Sequence, residues 1–134
     1  MTGLVIRLAP HERVLLNGAV IENGDRRASL SIKTPHANVL RLRDAIHPEQ
    51  ANTPVKRTCY LAQLVLSGDS EAEDVKTPLL RAIEQLSQVF TDMDSRAILS
   101  TASESAVEGD YYQTLKSLRL LLPRERRLLE ARPQ

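Results

Sequence analysis

Two Asn-Gly pairs, Asn17-Gly18 and Asn23-Gly24, stand only four residues apart in this chain. Asn-Gly accepts positive φ at both central positions of a type I′ turn, the tight connection that joins twisted antiparallel strands. Two such turns this close predict three short antiparallel strands between Arg13 and Lys33. Two-residue loops set the register: Leu16 opposite Ala19, Val14 opposite Ile21, and Ala19 opposite Ala28. One face then carries Val14, Leu16, Ala19, Ile21, Ala28, Leu30 and Ile32. The other carries Arg13, Leu15, Val20, Glu22, Asp25, Arg27, Ser29, Ser31 and Lys33. A slip of one residue would mix the two sets, so pattern and turn geometry agree.

The flanking sequence extends the β-rich reading. Leu4 to Leu8, closed by Ala9-Pro10, reads as a first strand, and Asn38 to Leu42 as a last one. Asp44 to Asn52 reads as a connecting loop. At Thr53-Pro54 the period changes: Thr as N-cap and Pro at the first helical position open a helix that Ser67-Gly68 ends. Leu79, Leu80, Ile83, Leu86, Val89 and Phe90 then trace a stripe of helical period, in a segment begun at Thr77-Pro78 or at Ser70. Asp94 is the expected cap of a third helix and Gly109 its end. Asp110 caps a fourth helix, which Pro123 interrupts before a short basic tail helix from Arg124 to about Ala131. The expected fold is α+β: a small antiparallel sheet in residues 1–52, then about four helices in 53–134, forming one compact unit.

A chain of 134 residues can bury roughly two-thirds of its unfolded surface without a covalent staple. Cys59, the single cysteine, reads as a reduced, partly buried apolar residue. The start, Met1-Thr2-Gly3-Leu4, lacks a basic region followed by an apolar stretch, and no run is long enough to span a membrane. A soluble cytoplasmic protein with no membrane partner is the expectation. His11, His36 and His47 lack zinc-site spacing, and Glu71, Glu73 and Asp74 suit a helix N-terminus. The glycine turns lack the lysine of a phosphate loop. No nucleophile stands with a base, so the reading is not an enzyme, with no cofactor and no metal.

The net charge of +1 hides an uneven distribution. Residues 1–57 carry nine basic side chains against five acids, 58–110 reverse the sign, and the remainder is basic again. Arg13, Arg26, Arg27, Lys33, Arg41 and Arg43 are the candidate RNA-binding residues, since such groups contact phosphates and arginine also reads bases. The first 57 residues hold no aromatic side chain, which rules out a base-stacking platform there.

The segment Leu15-Leu16-Asn17-Gly18-Ala19-Val20-Ile21-Glu22-Asn23-Gly24-Asp25-Arg26-Arg27 resembles the FlbT family of post-transcriptional regulators of flagellin synthesis. The resemblance continues through Leu40-Arg41-Leu42-Arg43-Asp44-Ala45-Ile46, Thr53-Pro54 and Asp110-Tyr111-Tyr112, spanning most of the chain. It implies a repressor that associates with the 5′ untranslated region of flagellin mRNA and promotes its turnover, although some members act as positive regulators. The alternative is a protein-binding adaptor or chaperone-like partner of flagellin or another flagellar regulator, acting on mRNA indirectly. Exposed strand edges leave a homodimer open as well.

Overall fold

The computed structural model describes residues 3–131, so Met1 and Thr2 of the sequence reading lie outside it, as does Arg132 of the basic C-terminal stretch. The fold is α+β, as expected. Strands β1 (Leu4–Leu8), β2 (Arg13–Leu16), β3 (Ala19–Glu22), β4 (Ala28–Ile32) and β5 (Val39–Arg41) come first. Helices α1 (Pro54–Ser67), α2 (Ala72–Val89), α3 (Met93–Glu108), α4 (Tyr111–Arg119) and α5 (Leu122–Glu130) follow.

The first Asn-Gly turn forms as its chemistry requires. Asn17 and Gly18 have φ of +49° and +85°, and β2 pairs β3 with Leu16 opposite Ala19 and Val14 opposite Ile21. The second does not form. Gly24 stays outside the left-handed region, and β4 pairs with β1, from Leu4 opposite Ile32 to Leu8 opposite Ala28. The expected contact of Ala19 with Ala28 is therefore absent. Instead the Asn23 side-chain amide donates to the carbonyls of Ala9 at 2.9 Å and Arg26 at 2.8 Å. The backbone amide of Asn23 donates to Glu12 O at 2.9 Å, and that of His11 to Gly24 O at 2.9 Å. These bonds fasten the segment to the β1–β2 connection, and the chain passes on to β1 rather than folding back on β3.

Two small sheets result, β1–β4 and β3–β2–β5. Ile6, Leu8 and Ile32 of the first pack with Val14 and Val39 of the second in one core. Leu15 and Leu40, on the opposite face of the second sheet, pack against the helices. The assignment of Leu15 to the outward face is thus corrected: the helices cover that face and make β3–β2–β5 the middle layer. Tyr112 packs against both cores.

The helix boundaries show their caps. Thr53 Oγ1 accepts the Lys56 amide at 3.2 Å, and Gly68, with φ of +85°, ends α1. Asp110 Oδ1 accepts the Gln113 amide at 3.1 Å at the start of α4. Helix α2 begins at Ala72 and runs through Pro78. Asp92, not Asp94, caps α3, accepting the Ser95 amide at 3.0 Å, which leaves Asp94 in the first turn. Pro123 does not interrupt a helix but sits in the first turn of α5, where its missing N–H costs nothing. Val89 stands outside the buried stripe of α2 at 60% exposure, while Val75, Leu79, Ile83, Leu86 and Phe90 are buried. Cys59 is fully buried, and burial pushes its thiol up to about 12.

Candidate nucleic-acid interface

Of the six cations singled out in the sequence, Arg41 is the one withdrawn from water. Its Nε donates to Glu12 Oε2 at 2.6 Å and its Nη2 to Glu12 Oε1 at 2.7 Å. The same Nη2 reaches the carbonyl of Arg7 on β1 at 2.5 Å. Glu12 Oε1 also accepts the Ala9 amide at 2.9 Å. Both side chains are largely withdrawn from water, 13% and 6% exposed. The bidentate bond to Arg41 is the main reason the Glu12 carboxyl falls from 4.5 to about 2. Arg41 therefore acts as a clamp that ties β5 to the β1–β2 connection.

Arg27 and Arg43 meet in an open concavity of about 450 Å³, where they are joined by Arg7 and Ser29. Arg7 and Ser29 are opposite one another in the β1–β4 ladder. Glu12 is held under Arg41 and lies 3.6 Å from Arg43 Nε, and Asp44 lies 3.8 Å from the same nitrogen. Arg43 remains 57% exposed and Arg7 and Arg27 are exposed. The concavity therefore carries a surplus of positive charge with the Ser29 hydroxyl beside it.

The other candidates lie elsewhere. Arg13 is spent on a cross-strand pair with Glu22 at 2.7 Å, both exposed. Arg26 is exposed in the segment tied down by Asn23, beside Arg27 but outside the concavity lining. Lys33, past the other end of β4, stands about 20 Å from Arg27 along an extended strand. It lines a different concavity with Leu4, Pro35 and Tyr112.

Three further cations, counted in the charge distribution but not among the candidate RNA-binding residues, border these concavities. Arg7 is exposed on β1 between buried Ile6 and Leu8, an alternation legible in the strand itself. Lys116 and Arg119 on α4 border a neighbouring groove that also contains Arg7, Arg41 and Arg43. Their spacing of three places them on one helix side, but nothing in the sequence brings α4 beside β1 and β5. Arg119 is held by Asp44, 3.2 Å away, whose carbonyl it also contacts. Among the described residues, no cluster of three or more His, Cys, Asp or Glu is placed to hold a metal. No helix among them is long and apolar enough to cross a membrane.

Chemically, this is a small α+β scaffold with a cluster of exposed cations beside the hydroxyl of Ser29. The chain belongs to the FlbT family: the family model described as "Flagellar protein FlbT" matches residues 4–129. It is 35% identical over 127 residues to the probable flagellum biosynthesis repressor protein FlbT 1 of Bradyrhizobium diazoefficiens, covering 93% of this chain and 84% of that one. The corresponding repressor of Mesorhizobium japonicum is 30% identical over 94% of this chain and 84% of its own. That of Brucella abortus is 27% identical over 98% and 86%. No solved structure matches.

Proposed function

We propose that the protein is a cytoplasmic post-transcriptional regulator of flagellum synthesis that associates with the 5′ untranslated region of flagellin mRNA. Through that contact it represses translation and promotes degradation of the message. It acts by binding, without catalysis and without a cofactor. Family membership supports the regulatory role. The observation that carries the RNA contact is the convergence of Arg7, Arg27 and Arg43 around Ser29, with Glu12 already neutralised by Arg41. Side chains of this kind bind phosphates and sugar hydroxyls without needing an aromatic platform.

Purified protein titrated with nuclease-free flagellin leader RNA across a salt series tests the reading. Each phosphate neutralised adds about 0.7 to 0.9 to the slope of log affinity against log salt. Wild type is expected to show a steep slope, and Arg27→Glu a shallower one with weaker binding. Binding insensitive to salt, or an unchanged Arg27→Glu, overturns it.

A second reading is an adaptor that binds flagellin or another flagellar regulator and reaches mRNA through it. It is favoured by the exposed apolar side chains Val5 and Leu120, 61% and 59% exposed, which border one groove. Partners retained in a pull-down after nuclease treatment support the adaptor, and partners lost with the RNA count against it.

A further inference from the structure

Strands β1 and β5 are edge strands of different sheets, and they flank a groove of about 540 Å³ whose third wall is α4. Antiparallel ladders alternate hydrogen-bonded and non-bonded residue pairs. The Arg7 carbonyl turns away from β4 to meet Arg41, which makes Arg7 and Ser29 a non-bonded pair. Val5 and Ser31, two residues along, share that parity. The N–H and C=O of Val5 and the N–H of Arg7 therefore point out of the ladder along the open edge of β1. Among the described residues, no backbone group outside the ladder bonds to them.

We propose that this groove accepts an extended acidic segment of a partner protein as an added strand on β1. Three observations converge on that occupant. The unpaired backbone groups of Val5 and Arg7 are the donors and acceptor that a further strand requires, the mode by which extended peptides join sheet edges. Arg7, Arg43, Lys116 and Arg119 border the groove against a single acid, Asp44, which Arg119 already holds. Exposed Val5 and Leu120 supply apolar contact for alternate side chains of the incoming strand. An RNA strand offers no amide ladder to the β1 edge and leaves these two apolar side chains without a matching partner.

The probe is a fluorescein-labelled peptide of four Val-Asp repeats, blocked at both ends, with a Val-Lys counterpart as control. Wild-type protein is expected to bind the acidic peptide and not the basic one, and to slow hydrogen exchange at the Val5 and Arg7 amides. Val5→Pro removes one outward N–H at an edge position where proline is tolerated. It is expected to weaken binding about fivefold to tenfold, the share of one backbone hydrogen bond. Lys116→Glu is expected to weaken binding and leave the β1–β4 ladder intact; should Val5→Pro not fold, this variant and the wild-type exchange pattern decide. No binding, binding without protection of Val5 and Arg7, or protection of those amides by flagellin leader RNA instead of peptide overturns the proposal. Arg7 and Arg43 border both concavities, but the RNA reading is tested at Arg27, outside this groove, so the two failures are separable.

Discussion

Glu125 on α5 accepts the backbone amide of Val55 at 2.9 Å, across 70 residues of sequence. Its other oxygen accepts the Thr53 hydroxyl at 2.5 Å. Helix α1 has no acid in its own first turn, so a carboxylate from another helix supplies the negative charge its N-terminus favours. The preceding residue, Arg124, reaches Asp92 at 3.2 Å and Ser95 at 3.1 Å, where α3 begins. Two consecutive side chains of α5 thereby fasten it to the starts of two other helices.

Glu125→Ala strands the Val55 amide, which is buried and then without an acceptor. The expected loss is about 1.5–3 kcal/mol, read from the urea unfolding midpoint at constant m-value. Glu125→Gln keeps one acceptor and is expected to lose less. A change below about 0.5 kcal/mol in the alanine variant contradicts the capping role.

Acid stability follows from Glu12. In the unfolded chain its carboxyl takes up a proton near 4.5, in the folded one only near 2. Its contribution, about 3 kcal/mol, is therefore complete above roughly pH 5 and drains away between about 4.5 and 2. Urea midpoints compared at pH 7 and pH 3 are expected to differ markedly in wild type. Replacing the acid in Glu12→Gln should lower stability at pH 7 and flatten that dependence; an equally steep profile in the variant assigns the acid sensitivity elsewhere.

The two Asn-Gly glycines are expected to behave oppositely. Gly18 has φ of +85°, so Gly18→Ala forces an L side chain into the left-handed region at a cost of about 1–2 kcal/mol. Gly24 lies outside that region, with open space where a Cβ would stand. Gly24→Ala is expected to be neutral or stabilising by up to about 1 kcal/mol, through the entropy of the unfolded chain. Equal penalties at both sites in thermal unfolding would restore the double hairpin.

Cations that the sequence cannot rank separate in the folded protein. Arg13→Ala removes an exposed ion pair and is expected to change stability by less than about 1 kcal/mol and leave leader-RNA affinity intact. Arg41→Ala leaves Glu12 buried without its partner and is expected to cost about 3–5 kcal/mol. Chemical denaturation together with RNA titration distinguishes the two. A stable Arg41→Ala that has lost RNA affinity would return Arg41 to the binding surface.

Much of the outline was legible in the sequence because it rests on short-range chemistry. Asn17-Gly18 specifies its own turn, Thr53-Pro54 and Gly68 bracket α1, and Asp110 opens α4, each through groups a few residues apart. The FlbT resemblance was legible for the same reason, through motifs read residue by residue. Pairing of β4 with β1 was not legible, because Asn23 is held by the carbonyls of Ala9 and Glu12, 14 and 11 residues back in the chain. Nor could sequence show that Leu15 faces helices, or that Arg41 is spent on Glu12, 29 residues away. The candidate surface was half visible: Arg27 and Arg43 were named from charge alone, while Arg7, Lys116 and Arg119 joined them only through packing. Local hydrogen bonds determine turns and caps; which cations remain free, and beside what, is decided by contacts between elements far apart in the chain.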